Sequence, residues 1–157
     1  MRDILLEAEL LDQTGARQLR TAEQLAMGYR HCALPEGWIF TAGRFRLTPD
    51  DPERVRERMR QCNRKRRASQ PLEWPSAGSV FKNPPEGPKA WEWIQQAGLR
   101  GLRVGDAQVS TRHCNFFVNL GQATATEMRT LMDRVQEEIK RHFGVELQPE
   151  VQCVGWD

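Results

Sequence analysis

Ser79, Lys82 and Asn83 set a hydroxyl, an ammonium and a carboxamide within five positions of the heptad Gly78-Ser79-Val80-Phe81-Lys82-Asn83-Pro84. These groups can respectively give up a proton, hold an anion as a point charge, and read a polar ligand through a donor and an acceptor. Glycine permits close backbone approach and proline presets its own φ, so the segment can present the three in a fixed order. The same residues also suit a plain polar turn beside a strand. Two distant residues join them as candidates, Arg30 and Glu150. Taken singly, Arg30 reads as a surface ion-pair partner, Ser79 as a turn hydroxyl and Glu150, after Pro149, as a carboxylate facing water.

Other chemistries find less support. Cys32, Cys62, Cys114 and Cys153 are widely separated and form no C-x-x-C pair, which predicts free thiols and no metal. A net charge of +2 is too small to imply a polyanionic partner. Eight basic residues nevertheless fall between Arg54 and Arg67, ending in Arg64-Lys65-Arg66-Arg67. That run is either a nucleic-acid patch or a solvated helix running into a linker. It contains no aromatic residue to stack on bases, which favours the helix.

A chain of 157 residues, 28% charged and 39% hydrophobic, is ordinary for a globular protein with one good core or two small ones. No apolar run approaches the roughly 20 residues that span a bilayer. The acids in Met1–Glu7 do not suit a signal peptide, so a soluble, cytoplasmic protein is expected.

The elements that must position the candidates can be read in order. Ile4–Leu11, a turn at Asp12–Gly15 and Arg17–Arg20 predict a hairpin. Thr21 is expected to cap a brief helix through Met27, closed by Gly28. Trp38–Phe40 and Phe45–Leu47 belong to another extended piece. Thr48–Pro52 starts a helix that runs to about Asn63 or a little beyond. Residues 68–77 form a connector. A helix from about Lys89 to Ala97 stops at Gly98, and 104–110 and 115–119 read as strands. Thr124-x-x-Glu127 is a capping box ahead of an apolar stripe from Met128 through Leu131, Val135 and Ile139 to Phe143, ended by Gly144. Val145–Val154 reads as a last strand. Single helices mixed with strands give an α+β class. The chain enters its first strand at once, as though partner strands were encoded upstream.

An ordered set of motifs runs through nearly the whole chain: Tyr29-Arg30, Gln70-Pro71, Pro75–Pro84, Ala97–Gly101, Val109–His113, Asn115–Asn119, Ala123–Ala125, Phe143–Val145 and Pro149–Val151. The set resembles the UDP-N-acetylenolpyruvoylglucosamine reductase (UDP-N-acetylmuramate dehydrogenase) family, and its spacing looks like the family's shorter branch. The resemblance implies a remnant of a FAD-binding subdomain followed by a small α+β substrate-binding domain. Residues 1–58 would be the later part of the FAD-binding region, 59–75 a helix end and linker, and 76–157 the C-terminal substrate-binding domain. The glycine-rich subdomain that cradles the FAD pyrophosphate has no counterpart, so the chain looks like a fragment that needs a missing N-terminal FAD-binding half.

The resemblance further implies an enzyme of peptidoglycan precursor synthesis that uses NADPH and FAD to reduce UDP-N-acetylglucosamine enolpyruvate to UDP-N-acetylmuramate. Arg30 would hold the carboxylate and developing enolate, Ser79 would protonate carbon, and Glu150 would be the second acid. Lys82 and Asn83 would contact the UDP-sugar, and Arg66 would lie near the flavin. Two positions depart from the family pattern: Cys32 in place of serine, and Gln152 in place of arginine. A noncatalytic UDP-sugar-binding module is the alternative. The resemblance gives no role to nucleic acid, to a membrane, or to His113 and His142.

Overall fold

The computed structural model describes residues 1–155 and the backbone, but not the side chain, of Arg2. Helices and antiparallel sheets give the α+β class. The chain divides into two compact units, Met1–Val55 and the portion from Arg56 onward.

In the first unit, β1 (Leu5–Leu11), β2 (Arg17–Thr21) and β3 (Ile39–Phe45) make an antiparallel sheet in the order β2-β1-β3. The β1–β2 hairpin forms at the anticipated turn. There one Asp12 oxygen accepts the N–H groups of Thr14 and Ala16 and the Thr14 hydroxyl, while the other accepts the Gln18 amide. Hydrogen bonds from Thr14 and then Gln18 hold this carboxyl down at a pKa of about 2. The core is small: Ala8, Leu10 and Leu25 are buried, with Leu5, Met27 and Trp38 packed around them.

The brief helix anticipated at 21–27 does not form. Thr21 and Gln24 do exchange cap hydrogen bonds, 2.9 and 3.3 Å, but only one turn follows, and Ala26 leaves helical space at φ +41°. The carbonyl of buried Leu25 instead accepts the Ala33 N–H at 2.8 Å and the Cys32 thiol at 3.3 Å. Those longer-range bonds hold the turn in a form a helix would forbid.

Helix α1 (Pro52–Ser69) starts where the prolines and acids place it, with Asp51 accepting the N–H groups of Glu53 and Arg54. It extends well past Asn63 although none of its residues is buried. Glu57 pairs with Arg64 and Arg60 at 2.8 and 3.7 Å, relieving part of the basic run. At the far end the Arg112 guanidinium donates to the carbonyls of Arg67 (2.7 Å) and Gln70 (3.4 Å), and pairs with Glu73 at 3.3 Å. A cation at a helix C-terminus satisfies orphan carbonyls and complements the dipole.

The second unit's core lies between a four-stranded antiparallel sheet and two helices. The sheet order is β4 (Ser76–Ser79), β7 (Phe116–Asn119), β6 (Ala107–Val109) and β5 (Arg103–Val104). The helices are α2 (Ala90–Gln96), capped by Lys89 and Glu92, and α3 (Ala125–Phe143). The α3 capping box is present: Thr124 Oγ1 accepts from Glu127 N at 3.1 Å and Glu127 Oε2 from Thr124 N at 2.9 Å. Leu131, Met132, Val135 and Ile139 of the stripe are buried, while Phe143 lies against the Trp93 ring with centroids 4.9 Å apart.

Two strand expectations require correction. Residues 104–110 are not one strand but a hairpin that turns at Gly105, φ +55°. A β-carbon at Gly105 would collide with the Glu127 carboxylate of the capping box, so this turn and the α3 start are mutually dependent. Residues 145–154 form no regular strand, only an isolated bridge between Phe81 and Pro149. Pro149 has no N–H for a ladder, and the neighbouring Leu147 carbonyl accepts the Gln136 amide at 2.8 Å.

Thr124→Ala is expected to lower unfolding free energy by about 1 kcal/mol. Gly105→Ala is expected to lower it by more than about 1 kcal/mol, since it adds strain at positive φ and displaces Glu127. Urea unfolding checks both; a Gly105→Ala protein as stable as the parent would contradict the coupling.

Candidate active site

Ser79, Lys82, Asn83, Arg66 and Glu150 fall in the second unit and Arg30 in the first. Ser79 ends β4, is partly buried, and pairs in register with Phe116 of β7. Gly78 ahead of it adopts φ +86°, with nothing within 4 Å of where a β-carbon would stand. Glycine suits that backbone conformation, and the space beside it is open on the protein side.

Past β4 the chain bonds to two other segments at once. Val80 N–H donates to the Asn115 carbonyl at 2.8 Å, and the Val80 carbonyl accepts the Glu150 N–H at 2.7 Å. Lys82 N–H donates to the Gln148 carbonyl at 2.8 Å. These bonds bring the Ser79 and Glu150 backbones to either side of one buried valine. Glu150 itself is partly buried.

Lys82 and Asn83 are exposed. The Asn83 carboxamide oxygen accepts the Ala90 N–H at 3.2 Å, in the first turn of α2. One acceptor position of its amide therefore serves the helix start, leaving the nitrogen and the second oxygen lone pair to meet a ligand. Arg66, exposed on α1, donates to the Gln70 side chain at 3.2 Å. With Trp74, Gly78 and Phe116 it lines a groove of about 380 Å³ beside β4.

Arg30 sits in a tight loop closed by the Gly28 N–H on the His31 carbonyl at 2.9 Å. Its φ of +53° is uncommon for a residue with a β-carbon, and its guanidinium lies 5.5 Å from the Tyr29 ring centroid. It lines a groove of about 760 Å³ within the first unit, walled by Leu5, Leu25, Met27, Phe40 and Phe45. Cys32 lies in the same wall, and its thiol donates a hydrogen bond to the Leu25 carbonyl at 3.3 Å. All four cysteines are free thiols.

Sequence reasoning missed the residues that hold the Ser79 segment. Asn115, only 4% exposed, accepts the Phe81 N–H on Oδ1 at 3.0 Å and donates from Nδ2 to the Phe81 carbonyl at 2.8 Å. Its own N–H donates to His113 Nδ1 at 3.2 Å. Burial, with the Arg100 charge adding to it, pushes the His113 pKa below the ordinary imidazole value and keeps that nitrogen an acceptor. Buried Ser110 accepts the N–H groups of Arg112 and His113, fixing the turn between β6 and β7. The available signal was polar Ser110 and Asn115 set among Val109, Phe116 and Phe117, because a buried polar group must be satisfied.

Residues 70–154 match the family model described as UDP-N-acetylenolpyruvoylglucosamine reductase, C-terminal domain. The UDP-N-acetylenolpyruvoylglucosamine reductase of Magnetococcus marinus is 48% identical over 151 residues, covering 96% of this chain and 48% of that protein. The one from Agathobacter rectalis is 46% identical over 156 residues, 99% of this chain and 49% of that protein. A crystal structure of the Thermus caldophilus UDP-N-acetylenolpyruvylglucosamine reductase superposes with a TM-score of 0.80 at 41% identity, covering 97% of this chain and 54% of that one. The chain spans about half the length of the curated relatives it matches. On the family model, the identities and the shared fold together, the chain belongs to the UDP-N-acetylenolpyruvoylglucosamine reductase family.

Proposed function

We propose that this chain is the substrate-handling half of a cytoplasmic oxidoreductase that reduces UDP-N-acetylglucosamine enolpyruvate to UDP-N-acetylmuramate, a step of peptidoglycan precursor synthesis. The observation that carries the reading is the Val80 junction, which sets the Ser79 and Glu150 backbones beside each other in a domain of this family. In this reading residues 1–58 are the later part of a FAD-binding region, 59–75 a helix end and linker, and 76–157 the substrate domain. The half-length match to the relatives supports a second, flavin-bearing half.

The groove of the first unit suits the flat, largely apolar ring of a flavin, with Arg30 in its wall. Among the described residues no glycine-rich loop opens onto a helix N-terminus, where a pyrophosphate would be cradled. The fit therefore extends to the ring, and the rest of FAD falls to the other half; Arg66 is a flavin contact only by the family resemblance. When bound, a flavin reduced by NADPH supplies a hydride to the terminal alkene carbon of the substrate.

That arrival leaves negative charge on the adjacent carbon and its carboxylate. Arg30, always charged and planar, holds the carboxylate and stabilises the developing enolate. Its uncommon backbone conformation is the kind of local cost that recurs at functional sites. Ser79 gives its hydroxyl proton to the adjacent carbon, so that hydride and proton together saturate the double bond. Glu150, set beside Ser79 by the Val80 junction, is the second acidic group of the site. Lys82 and the amide nitrogen of Asn83 hold the UDP-sugar. Gln152 removes a positive charge next to Glu150 and slows turnover relative to an arginine.

Calorimetry of the purified chain with UDP-N-acetylglucosamine enolpyruvate is expected to show one binding site, and salt-sensitive binding of random DNA without any response to the sugar would contradict the reading. In flavin-loaded protein completed with the missing half, Ser79→Ala is expected to leave flavin reduction by NADPH within about twofold while product formation falls by roughly 10²-fold or more. Equal loss in both half-reactions would remove Ser79 from the proton-donor role. A completed protein that binds the sugar yet holds no flavin would be a noncatalytic UDP-sugar-binding module.

A further inference from the structure

Asn115 makes three hydrogen bonds to two consecutive residues of the Ser79 segment. Its carbonyl accepts from Val80 N, and its side chain closes on both backbone groups of Phe81. Because Val80 also takes the Glu150 N–H, the same clamp bears on Glu150 through one residue. Few side chains can do this: the carboxamide supplies a donor and an acceptor in one plane, matched to a backbone N–H and C=O. Burial makes each bond consequential, since a backbone group orphaned there has no water to replace its partner.

The clamp is itself anchored. His113 Nδ1 takes the Asn115 N–H, and the His113 ring is held edge-on to Phe116 with centroids 4.9 Å apart. The Phe81 side chain, 1% exposed, is seated against Phe117 at 5.9 Å. Phe81 alone would fix where the segment enters the core, but not the rotation of its peptide planes. The carboxamide fixes that rotation, and with it the direction in which Ser79 and Lys82 leave the strand on either side.

We propose that Asn115 is a positioning residue for the reaction: its side chain sets the peptide planes of Phe81 so that Ser79, Lys82 and Glu150 are presented together to the UDP-sugar. The proposal rests on the reading of Ser79 and Glu150 as the proton donor and second acid, and it adds a residue that touches neither substrate nor cofactor. Asn115→Leu keeps the shape and removes both side-chain bonds. Asn115→Asp keeps the acceptor and loses the donor when ionised, but regains an O–H donor when protonated. Titratable groups around the position are His113 and Cys114 on its own segment, Arg100, whose charge bears on both, and Lys82 and Glu150 on the paired segments.

The test uses the full chain, with UDP-N-acetylglucosamine enolpyruvate as probe. Amide exchange of Phe81 and Glu150 is compared with that of α3, and affinity is measured by calorimetry from pH 5 to 8 with the parent at each pH as control. In Asn115→Leu the Phe81 and Glu150 amides are expected to exchange at least tenfold faster while α3 stays protected, and affinity to fall at least tenfold. For Asn115→Asp the affinity loss is expected to shrink as pH falls and the carboxyl takes a proton, a recovery that a mere packing defect would not show. Parent-like affinity in Asn115→Leu, or a loss in Asn115→Asp that is flat with pH, overturns the proposal. If Asn115→Leu fails to fold, the pH arm of Asn115→Asp decides alone. A parent chain that does not bind the sugar overturns the substrate reading instead, and the positioning role with it.

Discussion

Val80 has both of its backbone groups in use, the N–H on Asn115 and the C=O on Glu150, with its side chain 3% exposed. A residue fixed on three sides leaves its neighbours little freedom. Ser79 is one covalent step away and Glu150 one hydrogen bond away. If the junction opened, two buried polar groups would lose their partners at a cost of about 1–3 kcal/mol each, a large share of a domain's net stability. The candidate chemistry of the second unit is thus built on backbone hydrogen bonding, with side-chain packing from Phe81 and Phe117 keeping water away from it.

What was legible in the sequence was local. The α3 start could be read from Thr124 and Glu127, the first hairpin from Asp12–Gly15, and α2 from its stop at Gly98, because each signal lies within a turn of what it controls. What was misread depended on distant partners. Helix α1 outruns its expected end because Arg112 caps it from beyond the β-sheet's first strand. The stretch 104–110 folds back at Gly105, whose positive φ makes the turn and whose missing β-carbon leaves room for Glu127, and the chain after Val145 stays irregular because Pro149 and Gln136 interrupt any ladder. Site residues followed the same rule. Ser79, Lys82, Asn83 and Glu150 were singled out through motif, whereas Asn115 showed only as a polar residue in an apolar stretch, and its partner Phe81 is visible only in the fold.

The two units differ in how firmly they are built. Among the described residues the first has three buried side chains in its core and the second has thirteen. Every residue of β3 is exposed, and Ile39 and Phe40 keep large apolar area on the surface. Local opening follows the number of buried contacts, so the segment carrying Arg30 opens at lower free energy than the one carrying Ser79.

The most direct test of the junction is the through-hydrogen-bond scalar coupling between the Glu150 amide nitrogen and the Val80 carbonyl carbon in isotopically labelled protein. A resolved coupling, with a Glu150 amide that exchanges slowly, is the predicted result. No coupling, together with exchange of Glu150 at the rate of an unfolded chain, would mean that Ser79 and Glu150 are not held side by side.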